Sequence, residues 1–369
     1  MRARGARTNP PNRFERLRYV PEPTGPGGSG CAREGVRWEA EPEPDPRTEL
    51  LRDPSRSIVA TNRSPDVGFD ASVNPYRGCS HGCAYCYARP GHEYLGMSAG
   101  LDFETRILVK TEAPALLRRA LASRAWRPQV VALSGVTDCY QPAERRLGIT
   151  RGCLEVLAAF RNPVAVVTKS WLVTRDADLL ADLAAHGAAS VVVSVTTLDA
   201  ELARRMEPGA SPPSRRLAAI EGLAAAGVPV GVLVAPLIPG LTDHEMPRIL
   251  EAAARAGAGF AGRVVLRLPH GVKEIFDDWL ARELPERRGR VLARIREVRG
   301  GALSDPRFHS RQRGEGLYAR QLERWFDLAR RRAGLAERGP TLSTAAFDRH
   351  GGMRAVDPQL GLFDASRAS

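Results

Sequence analysis

Between residues 57 and 270 the chain alternates between two rhythms. Short runs of mostly β-branched apolar residues stand at 130–134, 164–168, 190–195, 230–234 and 263–268. Runs apolar at nearly every position read as strands buried on both faces. Longer Ala/Leu/Arg segments separate them, at 151–160, 176–186, 213–226 and 243–256, with apolar residues three and four apart. That spacing lays one apolar stripe along a helix. Strand and helix in alternation make a parallel sheet, because each helix must return the chain to the sheet's starting edge. One further strand before residue 79 brings the total to about six strand–helix units, short of the eight of a closed barrel. The fold class is therefore α/β.

The flanks carry no such rhythm. Residues 1–55 are rich in Pro, Gly, Arg and Glu, with alternating Glu and Pro at 41–46. They read as a mostly disordered extension in which Cys31 is an incidental thiol. The α/β unit covers 56–270, a helical basic cap 271–335, and a flexible polar tail 336–369. The formal charge is +12 and the isoelectric point about 10.0. Such a balance invites a nucleic-acid partner, since phosphates attract clustered cations. Yet only Lys110, Lys169 and Lys273 are lysines among 54 basic residues. A skew of that size reads as coding bias, so arginine excess by itself does not establish nucleic-acid binding. It does single out Lys110 and Lys169, where a point charge replaces the usual fork. Mean hydropathy is −0.27 and no long apolar run occurs, which predicts no membrane span. The first nineteen residues are polar and Arg-rich, unlike a secretory leader. Few cysteines in a long chain suit a reducing compartment, so the expected location is the cytoplasm.

Chemistry concentrates just after the first expected strand. Cys79, Cys83 and Cys86 fall within eight residues, spaced C-x₃-C-x₂-C. Three thiolates on one tight loop can hold three corners of a four-iron cluster, and no fourth cysteine follows nearby. One iron is then open to a ligand that is not protein. A structural zinc site would want four ligands, in two separated pairs. His81 is the available fourth ligand, but it lies inside the same short loop, a poor start for tetrahedral geometry.

This loop, with the aromatic Tyr85 just before the third cysteine, resembles the cluster loop of the radical S-adenosylmethionine (radical SAM) superfamily. About six strand–helix units match that family's partial (β/α)₆ barrel over roughly residues 70–270. The resemblance implies a 4Fe-4S cluster and S-adenosyl-L-methionine as cofactors. The cofactor's amino and carboxylate groups occupy the open iron, and its cleavage yields a 5′-deoxyadenosyl radical that abstracts hydrogen from substrate. It also implies roles at the strand ends. Thr137 and Asp138 stand where a Gly-Gly-Glu-like motif holds the cofactor's amino group, and this chain departs from that motif. Lys169, with Ser170, is placed to meet the cofactor carboxylate or a substrate phosphate. Ser194 and Thr196 stand at the ribose position, and Ile238 at the turn flanking adenine. Each such Ser or Thr also fits a helix cap. Cys139, with Tyr140 beside it, stands where a thiol would return a hydrogen atom to a product radical; the alternative is a small buried core residue. Cys153 falls on the apolar face of a helix.

The segments 74–89, 101–110 and 137–142 resemble a bacterial branch related to spore photoproduct lyase and labelled DNA repair photolyase-like. That implies a lyase-type enzyme acting on DNA, with a reductant such as flavodoxin or ferredoxin. Fold and cofactor do not fix substrate. Two alternatives stand: a nucleic-acid-binding protein with a structural or redox-sensing cluster, and a radical enzyme acting on a small molecule or protein. Residues 287–299 and 307–332 are Arg-dense and interleaved with Phe308, Tyr318, Trp325 and Phe326. This suits stacking on single strands or flipped bases, or a helical cap whose aromatics face inward. Finally, Gln359, Leu360, Gly361, Leu362 and Phe363 resemble the short peptide by which bacterial replication and repair proteins bind the DNA sliding clamp. A tail that packs back on its own barrel is the alternative.

Overall fold

A computed structural model describes residues 4–14 and 47–351. Among the described residues ten strands are formed: β1 Glu49–Arg52, β2 Val59–Thr61, β3 Ala71–Val73, β4 Tyr76–Arg77, β5 Arg106–Val109, β6 Val131–Leu133, β7 Val164–Thr168, β8 Ala189–Ser194, β9 Val230–Leu237 and β10 Phe260–Val265. Seven share one sheet in the order β10-β9-β8-β7-β6-β3-β2. Six of these, β3 and β6 to β10, run parallel, and β2 pairs antiparallel with β3 at the edge. The sheet is thus the expected six-stranded partial barrel with one added edge strand. A small sheet, β1-β5-β4, stands beside it.

The register explains the valine runs. Val131, Val164 and Ala189 stand side by side, as do Leu133, Val166 and Val191, and all six are buried. Helices cover the outer face. In Met246–Arg255 the buried residues are Met246, Ile249, Leu250 and Ala253, the expected three-and-four spacing. Just beyond it Gly257 adopts φ +95°, where a Cβ would also meet Ala224 at 2.7 Å. Glycine is what lets the chain turn there.

Three expectations needed correction. The last strand begins at Phe260, earlier than the apolar run at 263. Its ring lies over Gly231 of β9, where a Cβ would come within 2.3 Å. Beyond Val265 the carbonyls of Val265 and Leu266 accept from Arg299 instead of from another strand. Residues 4–14, within the extension expected to be mostly disordered, lie against the cysteine loop. The main-chain amides of Gly5 and Ala6 donate to Glu104, and a Cβ on Gly5 would stand 1.9 Å from the Gly82 carbonyl oxygen. Residues 336–351, expected to belong to a flexible tail, pack on the outer helices. Phe347 meets Phe160 with ring centroids 6.3 Å apart, and Arg349 donates to the Trp126 carbonyl. Main-chain and guanidinium bonds hold much of both segments, and single apolar residues such as Ala6 and Phe347 write no apolar period in the sequence.

Candidate active site

The C-terminal ends of the parallel strands converge on the cysteine loop. Gly78 opens the loop at φ +81°, and a Cβ there would strike His92 at 2.8 Å. The loop is then tied down by its main chain. The Cys79 amide donates to Phe103, the Ala84 amide to Met206, and the Cys86 amide to Cys83. Arg89, wholly buried, donates twice to the Cys83 carbonyl, at 3.0 and 2.8 Å, and pairs with Glu104 at 2.5 Å. A buried charge survives only with such a partner.

Cys79, Cys83 and Cys86 are free thiols, the first two buried and the third half-buried. Burial pushes all three above the usual thiol range. Their charges also bear on one another: Cys86 raises Cys79, and both raise Cys83. Three desolvated thiols on one short loop are a donor set for cationic iron, which would stabilise the thiolates that burial alone disfavours. Among the described residues no three His, Cys, Asp or Glu side chains are grouped as ligands of one metal ion. A cubane cluster takes one thiolate per iron and asks for wider spacing than the roughly 3.8 Å of thiolates sharing one zinc. The residues present fit the cluster.

Beside the thiols lies a buried polar network. Tyr85 donates its hydroxyl to Glu207, and Arg216 pairs with the other oxygen of the same carboxylate. Thr196 also reaches Glu207 at 2.8 Å. Burial pushes the Glu207 carboxyl up, but the charges of Arg216 and Lys169 prevail and hold it at about 2. Burial and then Glu207 push the Tyr85 hydroxyl far above its ordinary value. Tyr85 is therefore a fixed neutral donor and Glu207 a fixed anion. The Lys169 ammonium bonds the Ala235 carbonyl at 2.9 Å and sits 6.0 Å from the Tyr85 ring centroid. No carboxylate lies within ion-pair distance of it among the described residues.

The remaining expected residues divide. Ile238 is buried in the same apolar cluster as Cys83 and Tyr85. Ser194 is buried at the end of β8, its carbonyl accepting from Arg216 at 3.2 Å. Asp138 is at the mouth, but its carboxylate is already engaged. It accepts from Thr168 and the Lys169 amide, both at 2.8 Å, and from the Tyr140 amide at 2.9 Å, with His81 at 3.4 Å. It knits two strand ends to the cysteine loop. Thr137 bonds the Tyr76 carbonyl at 2.7 Å. Ser170 accepts from the Leu172 amide, the helix-cap alternative. Cys139 has 0% exposure and lies in the main core, the place of a small buried residue. Tyr140 donates to Asp176 at 3.0 Å. Of the interleaved aromatics, Phe326 is buried while Phe308 and Trp325 are exposed. The clamp-like peptide lies outside the described residues.

Sequence reasoning missed Glu207, Arg216, Arg89 and Glu104. The two arginines were hidden among many others. Glu207 sits in a Glu-Pro-Gly turn whose closeness to the cysteine loop only the fold creates: a Cβ on Gly209 would come 2.1 Å from the Ser80 carbonyl.

A family model described as the radical SAM superfamily matches residues 73–253. Uncharacterized proteins of Mycobacterium bovis and Mycobacterium tuberculosis are 41% identical over 244 residues, which cover 65% of this chain and 71% of each relative. An uncharacterized protein of Methanocaldococcus jannaschii is 25% identical over 199 residues, 54% of this chain and 71% of that one. Among solved structures, a tyrosine-to-phenylalanine mutant of spore photoproduct lyase aligns with a TM-score of 0.50 at 18% identity, covering 78% of this chain and 80% of that chain.

Proposed function

Because this chain belongs to the radical SAM superfamily, its cofactors are a 4Fe-4S cluster and S-adenosylmethionine, and we propose that it is a radical enzyme acting on nucleic acid. Cys79, Cys83 and Cys86 would hold three irons, leaving the fourth for the amino-acid end of S-adenosylmethionine. When bound, the pair supplies a 5′-deoxyadenosyl radical that takes a hydrogen atom from substrate. The chain's own residues prepare the mouth. Lys169 offers a positive charge to a carboxylate, at the small cost of releasing the Ala235 carbonyl. Glu207 and Arg216 fix Tyr85 against the cysteine loop. The apolar cluster of Cys83, Tyr85, Ile238 and Leu268 keeps water from the reacting end.

The observation that carries the enzymatic reading is the ammonium of Lys169, without a carboxylate partner among the described residues, at a strand end beside the loop of three cysteine thiols. The finer reading, a lyase of the DNA repair photolyase-like kind in the cytoplasm, is supported by the sequence resemblance at 74–89, 101–110 and 137–142. Among the described residues no helix is long and apolar enough to cross a membrane. We extend the proposal to two partners: a flavodoxin- or ferredoxin-type reductant, and the DNA sliding clamp through Gln359 to Phe363.

The test is anaerobic reconstitution, followed by reduction and product analysis with and without DNA. The wild type should carry about four irons and release 5′-deoxyadenosine. Cys83→Ala should lose nearly all iron, and Lys169→Ala should keep iron yet cleave slowly. An intact, reducible cluster that never cleaves S-adenosylmethionine would favour the structural or redox-sensing role instead.

A further inference from the structure

A cleft of about 350 Å³ opens beside the cysteine loop, near the small end of the range for ligand sites. His81 of the loop forms part of its wall, with Tyr140, Trp171, Ser211, Arg145 and Arg215. The main chain joins these walls to the site. The Gly209 amide donates to the His81 carbonyl at 2.8 Å, and the Ser211 amide to the Lys169 carbonyl at 3.2 Å. The Ser211 hydroxyl accepts from the Trp171 amide at 2.8 Å.

The cleft's charge is one-sided. No Asp or Glu lines it. Arg145 and Arg215 are exposed, and neither forms an ion pair among the described residues. Arg151 and Arg175, by contrast, are paired with carboxylates. Arg215 lies over the Trp171 ring, its guanidinium carbon 5.1 Å from the centroid. Stacking of this kind holds the fork in place, with its N–H edges free for a planar or tetrahedral anion.

We propose that Arg145 and Arg215 grip phosphodiester groups of a nucleic-acid strand, so that this cleft positions the strand next to the cysteine loop. The proposal rests on the nucleic-acid reading above and names where the strand is held. It also separates this cleft from the Arg-dense C-terminal helix Gly316–Arg332, the other basic candidate.

The experiment measures binding of a labelled single-stranded oligonucleotide to the reconstituted holoprotein across a range of salt. Each phosphate contact on a single strand contributes about 0.7 to the slope of log K against log salt. The Arg145→Gln/Arg215→Gln double variant should bind more weakly, with a slope reduced by about 1.4. Arg145→Lys/Arg215→Lys should restore most of the slope. An Arg320→Gln/Arg324→Gln pair, on the exposed face of the C-terminal helix, should leave the slope unchanged. Iron content and S-adenosylmethionine affinity should match the wild type in every variant. If the wild type binds no oligonucleotide, the nucleic-acid reading fails and this proposal with it. If it binds, but the cleft variant keeps its slope, the cleft proposal alone fails. If the cleft variant instead loses S-adenosylmethionine affinity, the cleft belongs to the cofactor and the proposal is overturned.

Discussion

Replacing Arg216 by Met tests the buried network directly. The Arg216 and Glu207 side chains are 1% and 0% exposed, so neither charge is relieved by water. Arg216 also donates to the carbonyls of Ser211 at 2.7 Å and Ser194 at 3.2 Å. The variant removes the largest charge opposing burial of Glu207 and leaves Lys169 as the nearest cation. A depression from an ordinary 4.5 to about 2 corresponds to about 3 kcal/mol at 1.36 kcal/mol per unit. Breaking a buried pair from one side costs about 3–5 kcal/mol in general, so a loss in that range is expected at pH 7. Urea unfolding of cluster-free protein reads it. The sign with pH follows from the depressed carboxyl. Its contribution is complete above about pH 4.5 and disappears as pH falls toward 2; Arg216→Met should flatten that window. Adding Glu207→Gln should recover stability, because the unpaired anion is gone, with a coupling of about 2 kcal/mol or more. A single-variant loss below about 1 kcal/mol, or strict additivity in the cycle, would refute the buried pair.

Two further outcomes are expected. Glu104→Gln should free residues 4–14 from the cysteine loop, since its carboxylate holds the Gly5 and Ala6 amides as well as Arg89. Trypsin should then cut at Arg7 much faster than in the wild type, and an unchanged cutting rate would mean that the segment is held elsewhere. A peptide covering 355–369 should bind purified sliding clamp on the order of micromolar, and Leu362→Ala with Phe363→Ala should abolish it; an intact peptide that does not bind ends the clamp proposal.

The sequence by itself determined the strand–helix alternation, the parallel sheet and the three thiols. Each of these is written in local order: valine runs buried on two faces, helical spacing at three and four, and three ligands within eight residues. It also picked out Lys169, because one lysine among arginines is visible without a fold. The rest depended on partners that no local period relates. Arg216 closes on Glu207 from the next helix, Arg89 meets Glu104 from a separate helical turn, and Gly5 lands on Gly82 from the N-terminal segment. Asp138, expected to meet the cofactor's amino group, accepts hydrogen bonds from three donors on two segments, with the His81 ring 3.4 Å away on a third. Periodicity records which face of an element meets the core. It does not record which charge meets which, because a buried ion pair is set by distance in space, and only the packed fold brings those distances about.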